Sequence, residues 1–233
     1  MKKVLVVIAL MIFSSQIFAQ VERKAIQEKG ISYKNPDNPY DAAGQKHNDG
    51  VSFIMRKLKN KQNVTKKDIV DATVEYLKEE PIKEIGAKIM SDNSFPTVTK
   101  KTYPSVSQSI LSEVSATFEN SENLQSFINA IKSIEAKVLV SKSIKEDDKV
   151  ALLKSLAVGR YSAFFWNNYD NGGNPAGKIK WSTIKNDLEG AGTGAGIGGA
   201  IGGPGGAAIG AVAGAIIGSC CAAYDIQKGN NKN

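Results

Sequence analysis

Histidine and cysteine are nearly missing from this chain of 233 residues. The only histidine is His47, and the two cysteines, Cys220 and Cys221, are neighbours. A metal site usually needs three or four such ligands, so the sequence predicts none. A disulfide framework is excluded too, because adjacent cysteines cannot join distant parts of a fold. Three states stay open for the cysteines: reduced among apolar side chains, a strained vicinal disulfide, or pairing between two chains.

Catalytic patterns are also lacking. A catalytic histidine needs an oriented nucleophile or acid partner, and no motif around His47 supplies one. The sequence therefore predicts that the protein is not an enzyme and binds no cofactor. We expect His47 only to make hydrogen bonds near the start of a helix.

Neither sign of charge is concentrated in one region. The chain has 30 lysines and arginines against 23 acidic residues, a formal net charge of +7. These charges alternate in stretches such as KEEPIKE and KEDDK, which is typical of a solvated surface and argues against nucleic-acid binding. A mild attraction to anionic lipid surfaces remains compatible with this charge.

Residues 1–19 have the pattern of a secretory signal peptide. Two lysines precede ten apolar residues, 4–13, and a short stretch then ends in Ala19. Ten apolar residues are too few to span a membrane, which takes about 20. We therefore predict an exported bacterial protein that is periplasmic, extracellular or membrane-associated, with residues 20–40 forming an extended arm.

Residues 41–188 carry the periodicity of helices. Apolar residues repeat at helical spacing in several segments, which are separated by stretches rich in turn-forming residues. Thr65 and Asp68 form a capping-box pattern, which is typical of a helix start. The sequence therefore predicts an all-α domain with five or six helices in a bundle.

Two interpretations stay open for the stretch RYSAFFWNNY, residues 160–169. Its five aromatic residues either pack in the core or form an interfacial surface beside the C-terminal segment. Arg160 would pair with a carboxylate of the bundle in the first case and lie near lipid headgroups in the second. Glu135 falls outside the apolar face of its predicted helix, so we expect it to be solvated.

Glycine is concentrated in GAGTGAGIGGAIGGPGGAAIGAVAGAIIG, residues 190–218, which we call the glycine segment. Eight of its glycines recur at every fourth position: Gly190, Gly194, Gly198, Gly202, Gly206, Gly210, Gly214 and Gly218. On a helix this spacing leaves a groove without side chains, along which another backbone can approach closely. A flexible linker is disfavoured, because linkers are rich in serine and other polar residues and keep no such register.

Pro204 divides the uncharged stretch 190–223 into a first arm, residues 190–203, and a second arm, residues 205–223. Proline lacks a backbone donor and disfavours helix in the residue before it, so we predict a helical hairpin that breaks at Pro204. The arms would be roughly 21 and 28 Å long, against a hydrocarbon core of about 30 Å. Since the first arm is too rich in glycine to be helical alone, the hairpin needs a partner surface.

Aromatic residues flank this uncharged stretch. Trp181 precedes it and Tyr224 follows it, and both are predicted to act as interfacial anchors. The remaining residues, 224–233, are expected to form a polar tail.

The run of glycines at every fourth position resembles the glycine-zipper segments of bacterial membrane-associated proteins. It is also similar to the tails of secreted bacteriocin-like polypeptides, which oligomerise at or in a target membrane. The resemblance implies an exported protein whose glycine segment packs in or on a membrane, and it extends to a bacteriocin-like toxin that acts there. The implied partners are membrane lipid, a membrane protein, or a second copy bound through the glycine segment.

The alternative is a soluble secreted interaction or structural protein. In that case the glycine-rich hairpin packs on its own bundle or self-associates, and no membrane is involved. Both interpretations require a close partner surface for the hairpin, and the sequence leaves the choice of surface open.

Overall fold

A computed structural model describes residues 32–78, 81–91, 103–171 and 181–224. The described residues form seven helices and no strand, so the predicted all-α class is confirmed. The helices are α1 (Ala42–Leu58), α2 (Lys66–Leu77), α3 (Pro81–Ser91), α4 (Gln108–Asn120), α5 (Leu124–Val140), α6 (Glu146–Asn171) and α7 (Trp181–Ala223). The predicted signal peptide, most of the predicted extended arm and the polar tail after Tyr224 lie outside the described residues.

Local side-chain chemistry explains where several helices begin. The Thr65 hydroxyl accepts from the backbone N–H of Asp68, and the Asp68 carboxylate accepts from the backbone N–H of Thr65, so the predicted capping box is present. Asn123 and Ser126 form the same reciprocal pair at the start of α5. Helix α6 opens with three acidic residues, 146–148, which favour the positive end of the helix dipole.

Helix α7 lies at the centre of the packing. It contacts α1, α2, α3 and α6, and every residue from 210 to 221 is buried. The second arm therefore forms part of the bundle core. Between residues 187 and 221, the positions that are not buried fall within 196–209, where Gly196, Ala200 and Gly205 are exposed.

A buried ionic network joins the segment before α1 to α5 and α6. The guanidinium of Arg160 donates to the Glu135 carboxylate over 2.9 and 3.2 Å and to Asp41 over 2.6 Å, and it also donates to the carbonyl of Tyr33. Arg160 therefore pairs with carboxylates of the bundle, as the first of the two interpretations stated.

Glu135 is fully buried, so the expectation that it is solvated is wrong. Its carboxylate accepts from the side-chain amides of Asn35 and Asn38, each over 2.7 Å. The position does lie beside the apolar stripe of α5, but the side that it faces is occupied by Arg160 and by the chain before α1. Satisfied hydrogen bonds make this burial of a carboxylate tolerable.

The aromatic stretch at the end of α6 divides between core and surface. Tyr161, Phe164 and Trp166 are buried, and Tyr33 stacks on Phe164 with ring centroids 4.1 Å apart. Tyr169 is 54% exposed. The core interpretation therefore holds for the buried three, while Tyr169 contributes an aromatic ring to the surface.

Replacing Glu135 with glutamine should lower the free energy of unfolding by roughly 3 kcal/mol, because it removes a carboxylate from a buried guanidinium. The matched change Glu113→Gln, which breaks an exposed pair with Lys137, should cost under about 1 kcal/mol. Urea unfolding followed by circular dichroism measures both. Equal losses in the two variants would contradict a structural role for the buried network.

Candidate functional site

The spaced glycines bring two stretches of α7 into direct backbone contact. Three pairs lie face to face: Gly190 with Gly214, Gly194 with Gly210, and Gly198 with Gly206. A Cβ atom on any of these six residues would overlap the carbonyl oxygen of its partner. At Gly218 a Cβ would lie 2.7 Å from the carbonyl oxygen of Asn186. The contact thus requires glycine at seven of the eight predicted positions.

Gly203 lies between the two stretches and has a φ of +57°. This is the left-handed region, where a residue with a Cβ is strained. The surroundings of Gly202 and Pro204, and the side chain of Trp181, are outside what the structure describes. Tyr224 is half-buried and directly follows α7, where its backbone N–H donates to the carbonyl of Cys220.

The second arm fits closely against α1. A Cβ atom at Gly50 would overlap Cδ1 of Ile216, so the missing side chain at Gly50 creates the space that Ile216 fills. Cys220 and Cys221 are both free and buried on the same arm. They behave as small apolar residues, which was one of the three states left open by the sequence.

A buried polar cluster lies at the base of the glycine segment, formed by His47, Ser162, Trp166, Asp187 and Ser219. The Asp187 carboxyl group accepts from the hydroxyls of Ser162 and Ser219 and from the Trp166 indole N–H over 3.2 Å. Asp187 precedes the first arm and Ser219 belongs to the second. The cluster therefore ties both ends of the glycine segment to each other and to α6.

His47 connects α1 to the same polar cluster. Its Nε2 lies 2.9 Å from the Ser219 hydroxyl and 3.9 Å from the Asp187 carboxyl group, and its Nδ1 lies 3.0 Å from the Asn48 side chain. The prediction that His47 makes hydrogen bonds is confirmed. In a hydrolytic triad the histidine lies between serine and aspartate, whereas here Ser219 bridges the other two and all three are fully buried. This arrangement suits structural fastening better than nucleophilic chemistry.

Burial gives the two titratable groups of the polar cluster opposite pKa shifts. It raises the pKa of Asp187 from 3.8 to about 7, and it lowers the pKa of His47 from 6.5 to about 4. Between these values the buried cluster holds a neutral imidazole and a protonated carboxyl group, whose O–H donates to one of the serine hydroxyls. Exposure to water would ionise Asp187 and protonate His47, so opening the cluster moves one proton between them.

The sequence did not indicate Asp187, Ser162 or Ser219. The available signal was faint: Ser219 is a lone hydroxyl in an apolar run, and Asp187 directly precedes an uncharged stretch. Polar residues at such positions need buried partners if the stretch is in a core. The partners are 25 and 32 residues from Asp187 along the chain, which no local pattern reveals.

A surface cavity of about 360 Å³ lies beside the second arm. Its apolar wall includes Tyr40, Leu77, Ile209 and Val212, and two lysines, Lys46 and Lys154, also line it. The Lys154 ammonium lies 5.4 Å from the centre of the Tyr40 ring. The cavity therefore combines an apolar wall with positive charge.

Gly194→Ala should lower the free energy of unfolding by at least about 3 kcal/mol, because its methyl group would overlap the Gly210 carbonyl. Gly196→Ala is the matched control, since a Cβ there meets nothing within 4 Å. On an exposed helical position it should stabilise by up to about 1 kcal/mol. Thermal unfolding separates the two, and a stable Gly194→Ala variant would contradict the close backbone contact.

Asp187→Asn and His47→Gln should give pH profiles that tilt in opposite directions. In Asp187→Asn, His47 is the remaining titratable group of the cluster. The free energy of unfolding of this variant is highest above pH 6.5 and falls by roughly 3 kcal/mol as the pH drops to about 4. In His47→Gln, Asp187 is the remaining titratable group. The free energy of unfolding of this variant is highest below pH 3.8 and falls by roughly 4 kcal/mol as the pH rises to about 7.

Urea unfolding between pH 4 and pH 7 measures this difference, with the wild-type profile as reference. The pH dependence of the wild-type free energy of unfolding should lie between those of the two variants, because the contributions of His47 and Asp187 largely cancel. Parallel profiles for all three proteins would show that the buried pair does not exchange a proton.

Comparisons of the chain with protein-family models, with curated proteins and with solved structures found no match. A function for the glycine segment therefore has to be argued from its geometry and chemistry.

Proposed function

We propose that this is an exported protein whose glycine segment is a helical hairpin that packs in or on a membrane, in the manner of a bacteriocin-like membrane-active toxin. In water the bundle stores the hairpin in its core. The two arms stay packed on each other through their glycine faces when the hairpin leaves the bundle.

The order of the glycine contacts supports the hairpin. Position 190 lies against 214, 194 against 210 and 198 against 206, so one stretch runs opposite to the other. The left-handed φ of Gly203 falls within the short stretch between the innermost pair, where a reversal is required. Glycine can adopt this conformation without strain, which supports a turn at this position.

The observation that carries the membrane proposal is that the arms meet backbone to backbone at three glycine pairs. Close backbone approach at small residues is how helices associate in a bilayer, where lipid is as apolar as leucine. The hairpin would therefore keep its internal packing after leaving the bundle. Only the outer faces of the arms, with side chains such as Ile216 and Val212, would exchange protein contacts for lipid.

The second arm also meets the length and composition requirement. Within the described residues, Gly205–Ala223 is the one stretch long and apolar enough to cross a membrane, and 78% of it is buried in the bundle. Core helices of soluble proteins pass the same test, so burial alone does not distinguish storage from permanent packing. The feature that favours storage is the uncharged character of both arms, from residue 190 to residue 223.

A second candidate function is a soluble interaction or structural protein in which the hairpin never leaves. The polar cluster favours it, because Asp187 and Ser219 bind α6 and His47 of α1 by buried hydrogen bonds. Breaking such bonds in an apolar interior is costly unless water or new partners replace them. Whether the hairpin is released separates the two candidates.

Two engineered disulfides test release, both in a Cys220→Ala, Cys221→Ala background. Gly50→Cys with Ile216→Cys would lock the second arm to α1, since a Cβ at residue 50 would lie 3.1 Å from Ile216 Cγ1, near where the partner sulfur would stand, with a small shift of the Tyr76 ring. Cysteines at 199 and 207 would join the two arms only, with Cβ atoms 3.5 Å apart. The lock should abolish leakage of dye from phosphatidylglycerol vesicles, whereas the inter-arm disulfide should leave it unchanged.

Reduction of the locked protein provides the internal control, because leakage should return once the disulfide is broken. Leakage by the oxidised locked protein would overturn release of the hairpin. The absence of binding and leakage by every form, with the glycine segment intact, would favour the soluble protein instead.

A further inference from the structure

We propose that α2 is a lid over the second arm: it opens about its two ends and uncovers the arm while the rest of the bundle stays folded. This inference rests on the proposed function and names the step that precedes release of the hairpin. Opening of α2 alone would expose one side of the arm, and the remaining helices would still hold the arm in place.

Helix α2 lies along the second arm from one end to the other. Leu77, its last residue, lines the surface cavity together with Ile209, near the start of the arm. Burial raises the pKa of the Cys221 thiol to about 11, and the ammonium of Lys66, the first residue of α2, is near enough to oppose this shift. The 12 residues of α2 and the stretch 209–221 each span roughly 18 to 20 Å as helices. The lid is therefore as long as the surface that it covers.

Both ends of α2 hold a residue in an unfavourable backbone conformation. Asn63, two residues before the N-cap Thr65, has a φ of +55°, and Lys78, directly after the helix, has a φ of +53°. In the described part of the chain, these are the two non-glycine residues with positive φ. The left-handed region is unfavourable for a residue with a Cβ atom, more so for lysine than for asparagine. Residues at the ends of an element are where hinges absorb changes in backbone angles, so a movement of α2 would let both residues leave this region.

Helix α2 is fastened differently from its neighbours. Buried hydrogen bonds of the polar cluster hold α1 and α6 to the glycine segment. Two polar contacts between α2 and α1 lie at the surface instead. The Lys57 ammonium is 2.7 Å from the Glu75 carboxylate, and both side chains are exposed. The Tyr76 hydroxyl donates to the carbonyl of Lys46 over 3.2 Å. Water can replace such exposed contacts with little loss, whereas buried hydrogen bonds are costly to break.

Packing between α2 and the second arm is incomplete at the Leu77 end. The surface cavity of about 360 Å³ lies between Leu77, the start of α1 and residues 208–212 of the arm. Side chains that line a cavity lack contacts on one side, so less dispersion energy is lost when they separate. Opening would therefore begin at this end of α2.

The two cysteines allow the lid to be tested in the purified chain, residues 20–233, without lipid. Cys221 lies on the side of α2, beside Lys66. Cys220 lies on the side of the polar cluster, near Asp187. Cys220→Ala leaves Cys221 as the only thiol, and Cys221→Ala leaves Cys220. The reagent dithiobis(nitrobenzoate) then measures how often each thiol becomes accessible.

Cys221 should react faster than Cys220, and its rate should depend only weakly on urea, because local opening of α2 exposes little surface. Cys220 should react through global unfolding, with the full urea dependence. Equal rates with equal urea dependence for the two thiols would overturn the lid.

Two further variants separate local from global opening. Leu77→Ala weakens the contact of α2 with the arm and should speed labelling of Cys221 by roughly tenfold or more. Glu135→Gln weakens the buried network of α5 and should speed labelling of Cys220 by roughly tenfold or more, while the rate at Cys221 changes by less than roughly threefold. If Leu77→Ala leaves the Cys221 rate unchanged, that thiol reacts without any opening and the lid is wrong. The lid is also wrong if Glu135→Gln speeds both thiols equally.

The lid and the proposed function fail in different ways, since thiol labelling needs no membrane. If Cys221 reacts through local opening but no form of the protein releases dye from phosphatidylglycerol vesicles, α2 is a lid and the membrane function is wrong. If the unlocked protein releases dye but the two thiols react alike, the hairpin leaves by another route, so the lid is wrong and the membrane function stands.

Discussion

Carbonyl oxygens facing α-carbons across the glycine segment set how closely the two stretches of α7 approach each other. Because no side chain separates the two stretches, they occupy less width than an ordinary pair of helices. That narrow pair is surrounded by α1, α2, α3 and α6, and the missing side chain at Gly50 makes room for Ile216. The surrounding helices supply the side-chain packing that the glycine face lacks.

The polar interior is arranged around this pair in two places. Arg160 and Glu135 fasten the segment before α1 to α5 and α6, while the polar cluster fastens the base of the glycine segment. Because burial raises the pKa of Asp187 to about 7 and lowers the pKa of His47 to about 4, the polar cluster has no net charge between about pH 4 and pH 6.5 whether it is buried or exposed. Acid alone is therefore a weak trigger for opening the polar cluster between about pH 4 and pH 6.5.

Local patterns in the sequence predicted the helical class, the capping box at Thr65 and the glycine spacing, since each depends on residues a few positions apart. They missed the burial of Glu135, because periodicity orients a residue within its own helix and is silent about Arg160, 25 residues away. They also left open what covers the second arm. An apolar surface has the same composition whether its neighbour is lipid or the chain's own bundle, and only the fold distinguishes the two.

Because the glycine contacts repeat every four residues, they do not by themselves fix the register of the two arms. Sliding one arm by four residues, roughly 6 Å, again sets glycine opposite glycine, so Gly194 would meet Gly214 without a clash. Large interlocking side chains normally prevent such slippage, and at the three facing glycine pairs there are none. The alignment must come from groups that occur once: the left-handed Gly203 at one end and the bond between Asp187 and Ser219 at the other. The buried carboxyl group of Asp187 thus selects one register out of several that the glycine contacts alone would allow.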